Sequence, residues 1–437
     1  MLLIYSPSIS SRIEYIFDTV FYYEYGINYN VTSDLKKFLN HKGEKINYSD
    51  ERFGDEFYIK ASSLLFEDFI EKKNVPISKK NDTIMLFPNG QSCDIGFDIF
   101  SSVFYMLSRY EEYLPFTPDQ YGRYKAQDSL AYKNNFLQKP VVDQWLKILK
   151  EILQQKFPFL VFKTTNFKSI TTYDVDVAYK FKGRNFIRNT GSMVKDLLKF
   201  NFKNIVSRYK TLANKIEDPW DTYNYLKKII TQNNLCSVFF FLMGNSSQND
   251  RNLSYKNNVT NKLINEIKTF SNIGIHPSFK SSILIKKITE EKQRLENISK
   301  KKITKSRQHF LKFILPETYN ALAAAGIEED YSMGFPYQPG FRAGTSKPFY
   351  FYDLKNEKAT SLKIFPMTLM DSSFINSKLS QSEIINAISS LIKEIKTVDG
   401  TFISVWHNHT VSNTGEFKNL RYIHDQMIEI SLLQINF

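Results

Sequence analysis

From residue 168 onward the chain alternates strand-like and helix-like runs for some 270 residues, and this alternation constrains the fold more than any other feature. Strand-like runs lie at 168–174, 237–243, 273–277, 303–310, 329–333, 362–365 and 402–407. Apolar residues at helical spacing fall between most of them, at 223–232, 261–270, 282–298, 317–325 and 383–396. The last of these has Ser380 and Glu383 at capping-box spacing, a stripe of Ile384, Ile388, Leu391, Ile392 and Ile395, and Gly400 just past its end. Such alternation predicts a mostly parallel sheet, open or closed into a barrel, with the chemistry at the carboxyl ends of the strands.

The first strand of the series ends in Thr172-Tyr173-Asp174-Val175-Asp176. Side chains on a strand alternate between faces, so Thr172, Asp174 and Asp176 share one face and Tyr173 and Val175 the other. Two carboxylates aimed at one place repel unless a cation or a shared proton intervenes, which suits a metal ligand beside a general base. A strand-end Asp pair that caps the next helix or meets solvent has the same spelling.

Residues 1–165 read as a smaller α/β domain placed before 166–437. Strands are expected at 2–4 and at 84–87, the latter stopped by Pro88-Asn89-Gly90. A helix is expected over 98–113, from Ile99, Val103, Met106, Leu107 and Tyr110, ended by Pro115 and Pro118. Arg109, Glu111 and Glu112, followed by Asp119, Tyr121, Gly122 and Arg123, mark either a site or domain contact, or a surface Arg109–Glu112 pair. A second amphipathic helix is expected over 143–155, and Pro158 with Lys163-Thr164-Thr165-Asn166 marks the boundary.

A chain of 437 residues is too long for one ordinary core, and 37 Phe and 26 Tyr are ample for a packed interior. Of the net charge of +13, much sits in 180–215, where Lys180, Lys182, Arg184, Arg188, Lys195, Lys199, Lys203, Arg208, Lys210 and Lys215 face one acid, Asp196. That stretch is either a solvated surface helix or a site for an anionic partner such as a membrane surface or a lipid-linked glycan. No nucleic-acid-binding motif accompanies the charge, so no nucleic acid is expected. Two cysteines, Cys93 and Cys236, each in an apolar neighbourhood, argue against a disulfide framework. The start, Met1 to Ser6, lacks a basic region, and no apolar run is long enough to span a bilayer. A cytoplasmic location is expected, with membrane association through 180–215 as a variant of it.

Four of the six histidines lie at or near expected strand ends: His276 after Ile273-Gly274-Ile275, His309 in Arg307-Gln308-His309-Phe310, and His407 and His409 in Val405-Trp406-His407-Asn408-His409. In this order the motifs resemble those of the polysaccharide deacetylases, carbohydrate esterase family 4 or the NodB-homology group. That family opens on Thr-Phe-Asp-Asp, follows with His-x-x-x-His after Ile-Gly and with Arg-x-Pro-Tyr/Phe, and closes on an apolar strand ending in His-Asp/Asn. The resemblance covers residues 168–437 and leaves the first 165 unexplained. It departs from the pattern at Val175, which displaces the second acid to Asp176, and at Lys280, which stands where the second histidine is expected.

The resemblance implies an irregular (β/α)7 barrel and a hydrolase that removes an N- or O-linked acetyl group from a carbohydrate in bacterial surface-glycan metabolism. A divalent metal, zinc foremost, is implied on Asp176 and His276, with His309, or His409 as its substitute, as third ligand. Asp174 is implied as base, His407 as acid and Arg307 as the residue that orients Asp174. Tyr331, Phe341, Arg342 and Trp406 are the expected substrate-binding residues. Three other readings stand beside this one: a catalytically weak or inactive glycan-binding barrel, prompted by Lys280; a metal-dependent glycosyltransferase using Asp174-Val175-Asp176; and a non-enzymatic assembly protein docked on a membrane through 180–215.

Overall fold

The computed structural model describes residues 1–90, 93–375 and 377–433, without the side chains of 186–188 and 416. Arg188 of the basic run therefore lies outside the described side chains. Two parallel sheets carry the fold. In the N-terminal region β1 (Leu2–Tyr5), β2 (Tyr29–Thr32), β3 (Lys45–Ser49) and β4 (Phe57–Lys60) form a four-stranded sheet in the order β2-β1-β3-β4, and β5 (Ile77–Lys80) with β6 (Thr83–Leu86) makes a hairpin.

The larger sheet contains β7 (Lys168–Val175), β8 (Cys236–Leu242), β9 (Asn272–His276), β10 (Lys305–Ser306), β11 (Glu329–Asp330), β12 (Phe349–Asp353), β13 (Lys358–Ile364), β14 (Leu369–Met370) and β15 (Thr401–His407). Their order is β12-β13-β11-β10-β9-β8-β7-β15-β14, parallel except for the β12–β13 hairpin. The expected closed barrel of seven strands is not what the described residues form. β10, β11 and β14 are two residues long; β13 pairs with β11 and β14 with β15, and the link between β13 and β14 makes a backbone bond from Met367 N–H to Met333 O at 2.9 Å. The sheet still curls around an inner core of its own, made by Ile170, Val238, Phe240, Leu311, Tyr331, Met367, Met370, Ile403 and Val405.

Local chemistry accounts for the elements. Helix Gln381–Thr397 starts on the expected capping box, with Ser380 accepting from the Glu383 N–H, and buries Ile384, Ile388, Leu391, Ile392 and Ile395. Helix Tyr223–Gln232 has the bounds its periodicity predicts. The helix expected over 98–113 stops at Leu107, ahead of both prolines, because Arg109 takes a left-handed conformation (φ 55°) and opens a short turn at Tyr110–Tyr113. The strand expected over 303–310 shrinks to Lys305–Ser306, and the chain turns at His309–Leu311, where Phe310 and Leu311 have positive φ. Cys236 is exposed at the start of β8, whereas Cys93 is buried.

Both regions share one continuous hydrophobic core that runs from Leu2 to Ile428. Buried polar contacts reinforce the junction. Glu112 takes both Arg109 (2.8 Å) and Arg342 (2.6 Å), so the Arg109–Glu112 pair is real but buried, and Arg342 completes it from the other region. Asp143 accepts from the Ser346 N–H (2.7 Å) and hydroxyl (2.6 Å). Gly340 passes so close to this junction that a Cβ there would meet the Leu137 carbonyl oxygen at 2.5 Å.

Candidate metal and catalytic centre

The alternation along β7 places the acids as expected. Thr172 and Asp174 point into the sheet's inner side, while the Tyr173 ring stacks outward on Phe239 (4.7 Å) and its hydroxyl pairs with His424 Nε2 (3.0 Å). β15 runs beside β7 in a register that sets His407 opposite Asp174 and Trp406 opposite Tyr173. On the other flank His276 closes β9 opposite Leu242. Three strand ends therefore deliver Asp174, His276 and His407 to one mouth, and the first residue past β7, Asp176, lies among them.

Asp176 is the hub. Its Oδ1 is 3.2 Å from His276 Nε2, and its Oδ2 is 3.6 Å from both His309 Nε2 and His407 Nε2. One ligand atom each from Asp176, His276 and His309 lie within 4.8 Å of one another. Asp174 Oδ2, Asp176 Oδ1 and His276 Nε2 are buried and form no well-aligned hydrogen bond, the 3.2 Å approach of the last two to each other included. Buried polar atoms without such bonds are costly, and three that face one spot with two carboxylate oxygens and an imidazole nitrogen match the donor set of a divalent cation. The residues present fit the metal that the motif order implies.

The ring nitrogens turned away from the hub are all engaged, which fixes how each imidazole faces inward. His276 Nδ1–H donates to the Arg307 carbonyl (2.5 Å), leaving the Nε2 lone pair toward Asp176. His309 Nδ1 meets Asp250 (2.8 Å), itself held by the Phe279 N–H (2.9 Å) and the Ser247 hydroxyl (2.8 Å). His407 Nδ1 meets Asp371 (3.0 Å), which also accepts from the His407 N–H (2.8 Å) and Thr410. Neither Asp250 nor Asp371 carries a motif in the sequence, and each was missed for that reason.

Electrostatics follow from crowding carboxylates and imidazoles in a dry place. Burial would raise the Asp176 pKa, but His309, His276 and His407 together hold it well below the ordinary 3.8. Burial would lower His309, yet Asp176 and Asp250 push it up to about 9. His407 is likewise lowered by burial but raised by Asp371, Asp176 and Asp174 to about 10. The acids outweigh the bases here, and protonated imidazoles hold the positive charge that a cation would also bring. His409 lies apart, its ring 5.2 Å from Trp220, and burial with the nearby His407 lowers it to about 4.

Arg307 is wholly buried, with Nη1 2.9 Å from Asp174 Oδ1 and 2.7 Å from the Thr172 hydroxyl. The expected substrate-binding residues are not brought to this mouth. Trp406 is fully buried on the outer side of β15, its indole N–H toward Met427 Sδ, because alternation turns it away from His407. Phe341 is in the shared core, Arg342 is committed to Glu112, and Tyr331 reaches down the inner core to Glu329 (2.8 Å). The aromatic edge beside the mouth comes from other residues. His309 is 4.5 Å from the Phe310 ring, which is 4.9 Å from Tyr121 and 5.5 Å from Phe279. Arg123 ties that edge down through the Phe310 carbonyl (2.7 Å), so the N-terminal region builds part of the rim.

A family of unknown function, DUF7033, matches residues 2–158. No curated protein matches the chain. Among solved structures, residues of this chain are similar to a protein from Mycobacterium smegmatis described as a polysaccharide deacetylase, at 13% identity and a TM-score of 0.40, over 62% of this chain and 86% of that one. A polysaccharide deacetylase from Bacillus cereus is similar at 10% identity and a TM-score of 0.29, over 60% of this chain and 87% of that one. A carbohydrate esterase family 4 pseudoenzyme from Bacillus anthracis is similar at 8% identity and a TM-score of 0.29, over 60% of each chain.

Proposed function

We propose that this chain is a metal-dependent hydrolase that removes an N- or O-linked acetyl group from a carbohydrate. The observation that carries the reading is the convergence of Asp174 Oδ2, Asp176 Oδ1 and His276 Nε2, buried and without a well-aligned hydrogen bond, on the space that His309 and His407 also face. His309 stands in for the histidine that Lys280 replaces, which gives Asp176, His276 and His309 as the three protein ligands a catalytic zinc ordinarily takes. His409 is not needed for this set. A glycosyltransferase would leave all three inward-facing histidines without a task.

When bound, the cation supplies Lewis acidity to water and to a carbonyl. Asp174, oriented by Arg307 and Thr172, takes the proton of the attacking water. The hydroxyl adds to the acetyl carbon, and His407, held by Asp371, gives its proton to the departing sugar nitrogen or oxygen as that bond breaks, so acetate and the free amine or alcohol leave. A pair of acidic and basic groups set apart in this way is the usual mark of acid–base work. Phe310, Tyr121 and Phe279 offer ring faces on which a sugar can stack.

The test is metal content of the purified protein, wild type beside Asp176→Ala and His276→Ala, with acetate release assayed on N-acetylated and O-acetylated oligosaccharides. The proposal expects about one bound zinc or similar ion, lost in both variants, and acetate release only from the loaded wild type. Stoichiometric metal without acetate release from any of these sugars favours a glycan-binding module. A wild type that takes up no metal when it is supplied removes the hydrolase.

A further inference from the structure

Between β7 and β8 the chain leaves the sheet and forms a helical hairpin, Phe186–Leu198 and Phe202–Leu212. Its polarity is reversed. A helix packed on a protein in water turns its apolar stripe inward. Here the inward side holds Asp196, Asn204 and Arg208: Arg208 Nη2 and Asn204 Nδ2 each lie 2.7 Å from Asp196 Oδ2, and the Arg208 guanidinium rests 4.6 Å above the Phe181 ring.

The outward side is apolar. Met193, Val194, Leu197 and Leu198 recur at steps of one and three on the first helix, and Phe202, Val206 and Tyr209 at steps of four and three on the second, so each helix shows one exposed stripe. Leu198 is 76% exposed, Phe200 at the hairpin tip 80% and Tyr209 65%. Lys195, Lys199, Lys203, Lys210 and Lys215 are exposed among these residues and form no ion pair among the described residues, while the one acid of the stretch, Asp196, is spent on Arg208. Isolated exposed apolar residues need no explanation, but a contiguous patch on an inverted hairpin does.

We propose that this hairpin docks on an anionic lipid bilayer, lying in its interface with the apolar stripes among the acyl chains and the lysines at the headgroups. The composition is that of an interfacial helix, aromatic and aliphatic on one face and lysine-rich at its border. A second copy of the chain fits less well, because apposing two hairpins also apposes two sets of unpaired lysines. No helix among the described residues is long and apolar enough to cross a membrane, which agrees with lying on the surface instead of spanning it.

The base of the hairpin is fixed to the candidate centre. Asp218 accepts from the N–H groups of Lys180, Phe181 and Lys182, and Asn408, next to His407, donates to the carbonyls of Val177, Ala178 and Trp220. Docking would therefore hold the mouth at a set orientation to the lipid surface. The docking itself does not depend on what the centre catalyses.

Vesicle flotation with the full chain tests the proposal, using phosphatidylcholine vesicles with and without about a third phosphatidylglycerol, a content that gives a strongly anionic surface. One variant carries Leu198→Ser, Phe202→Ser and Tyr209→Ser, the other Lys199→Gln, Lys203→Gln and Lys210→Gln. All six side chains are exposed, so unchanged thermal unfolding is expected and is checked in parallel. The wild type should float with the anionic vesicles, each variant should bind at least about tenfold more weakly, and binding of the wild type should fall as salt rises from about 0.05 to 0.5 M. A wild type that stays unbound at low salt, or that binds as well as both variants, overturns the proposal. So does a wild-type dimer that the serine variant converts to monomer without any vesicle binding, which assigns the stripe to self-association.

Discussion

The guanidinium of Arg307 lies 2.9 Å from the Asp174 carboxylate, and neither side chain reaches solvent. One oxygen of Asp174 is committed to that contact and the other faces His276 across 3.9 Å. The arrangement separates two effects by mutation. Asp174→Asn keeps the shape and a hydrogen-bond acceptor for Arg307 but cannot accept a proton, so acetate release should fall by about 10²–10⁴-fold with metal content unchanged. Arg307→Ala leaves a buried carboxylate alone and should destabilise the fold by about 3–5 kcal/mol, read as a lower urea midpoint. Equal loss of activity and of metal in Asp174→Asn would make Asp174 a ligand and not a base.

Asp250 touches the candidate ligand set through His309 Nδ1, 2.8 Å away. Asp250→Asn keeps a hydrogen-bonding side chain at His309 Nδ1 but removes the charge, and it should weaken metal affinity by about 10–100-fold in a competition titration with a chelator. Asp250→Ala should do at least as much. His309→Ala should reduce stoichiometry itself at micromolar metal, since two protein ligands rarely hold a catalytic zinc. Retention of full affinity in His309→Ala would move the third ligand elsewhere, with His409 next in line.

How far the sequence foretold this centre depends on the range of the forces involved. Alternation along one strand is local, and it placed Thr172 and Asp174 on one face and Tyr173 on the other, with Asp176 reaching the same mouth from just past the strand end. The same parity read one strand further would have turned Trp406 away from His407, a step the expectation of a sugar platform passed over. Arg342 was unreadable in that way, because its partner Glu112 lies 230 positions earlier and only tertiary folding joins them. Asp250 sits in a loop and Asp371 opens a one-turn 3-10 helix just past the two-residue β14, and neither has periodic neighbours, so nothing local marked them. The β12–β13 hairpin escaped because Phe349-Tyr350-Phe351-Tyr352 has no polar residue to show an alternation. The described residues show an open strand order and not the expected closed barrel, with β10, β11 and β14 only two residues long, a detail that a motif order does not encode.

Asp371 holds His407 by ring and backbone together. Asp371→Asn can either accept from or donate to His407 Nδ1, so it loses the constraint on whether that nitrogen carries a proton, and the charge that keeps the ring protonated. We expect kcat to fall by about a hundredfold or more while KM for the same sugar stays within about twofold, because orientation of an acid matters in the transition state and not for binding. A change confined to KM would place Asp371 in substrate recognition instead.

The junction of the two regions should be the first part to feel acid. Burial would raise the Glu112 pKa, but Arg342 and Arg109 overcome it and hold the carboxyl below its ordinary 4.5. A carboxyl with a lower pKa when folded than when unfolded stabilises the fold above its unfolded value, and that contribution is lost as the pH falls through 4.5 and on through the folded value. Glu112→Gln has no such titration. At about pH 7 it should be less stable than the wild type by about 3–5 kcal/mol, since two buried guanidinium groups lose their shared counter-ion. Below about pH 4.5 the gap should narrow by up to about 1.4 kcal/mol per pH unit, because protonation progressively removes from the wild type what the substitution removed outright. Urea midpoints measured across that range check it: parallel curves with a constant gap would mean that Glu112 contributes packing at this junction and not charge.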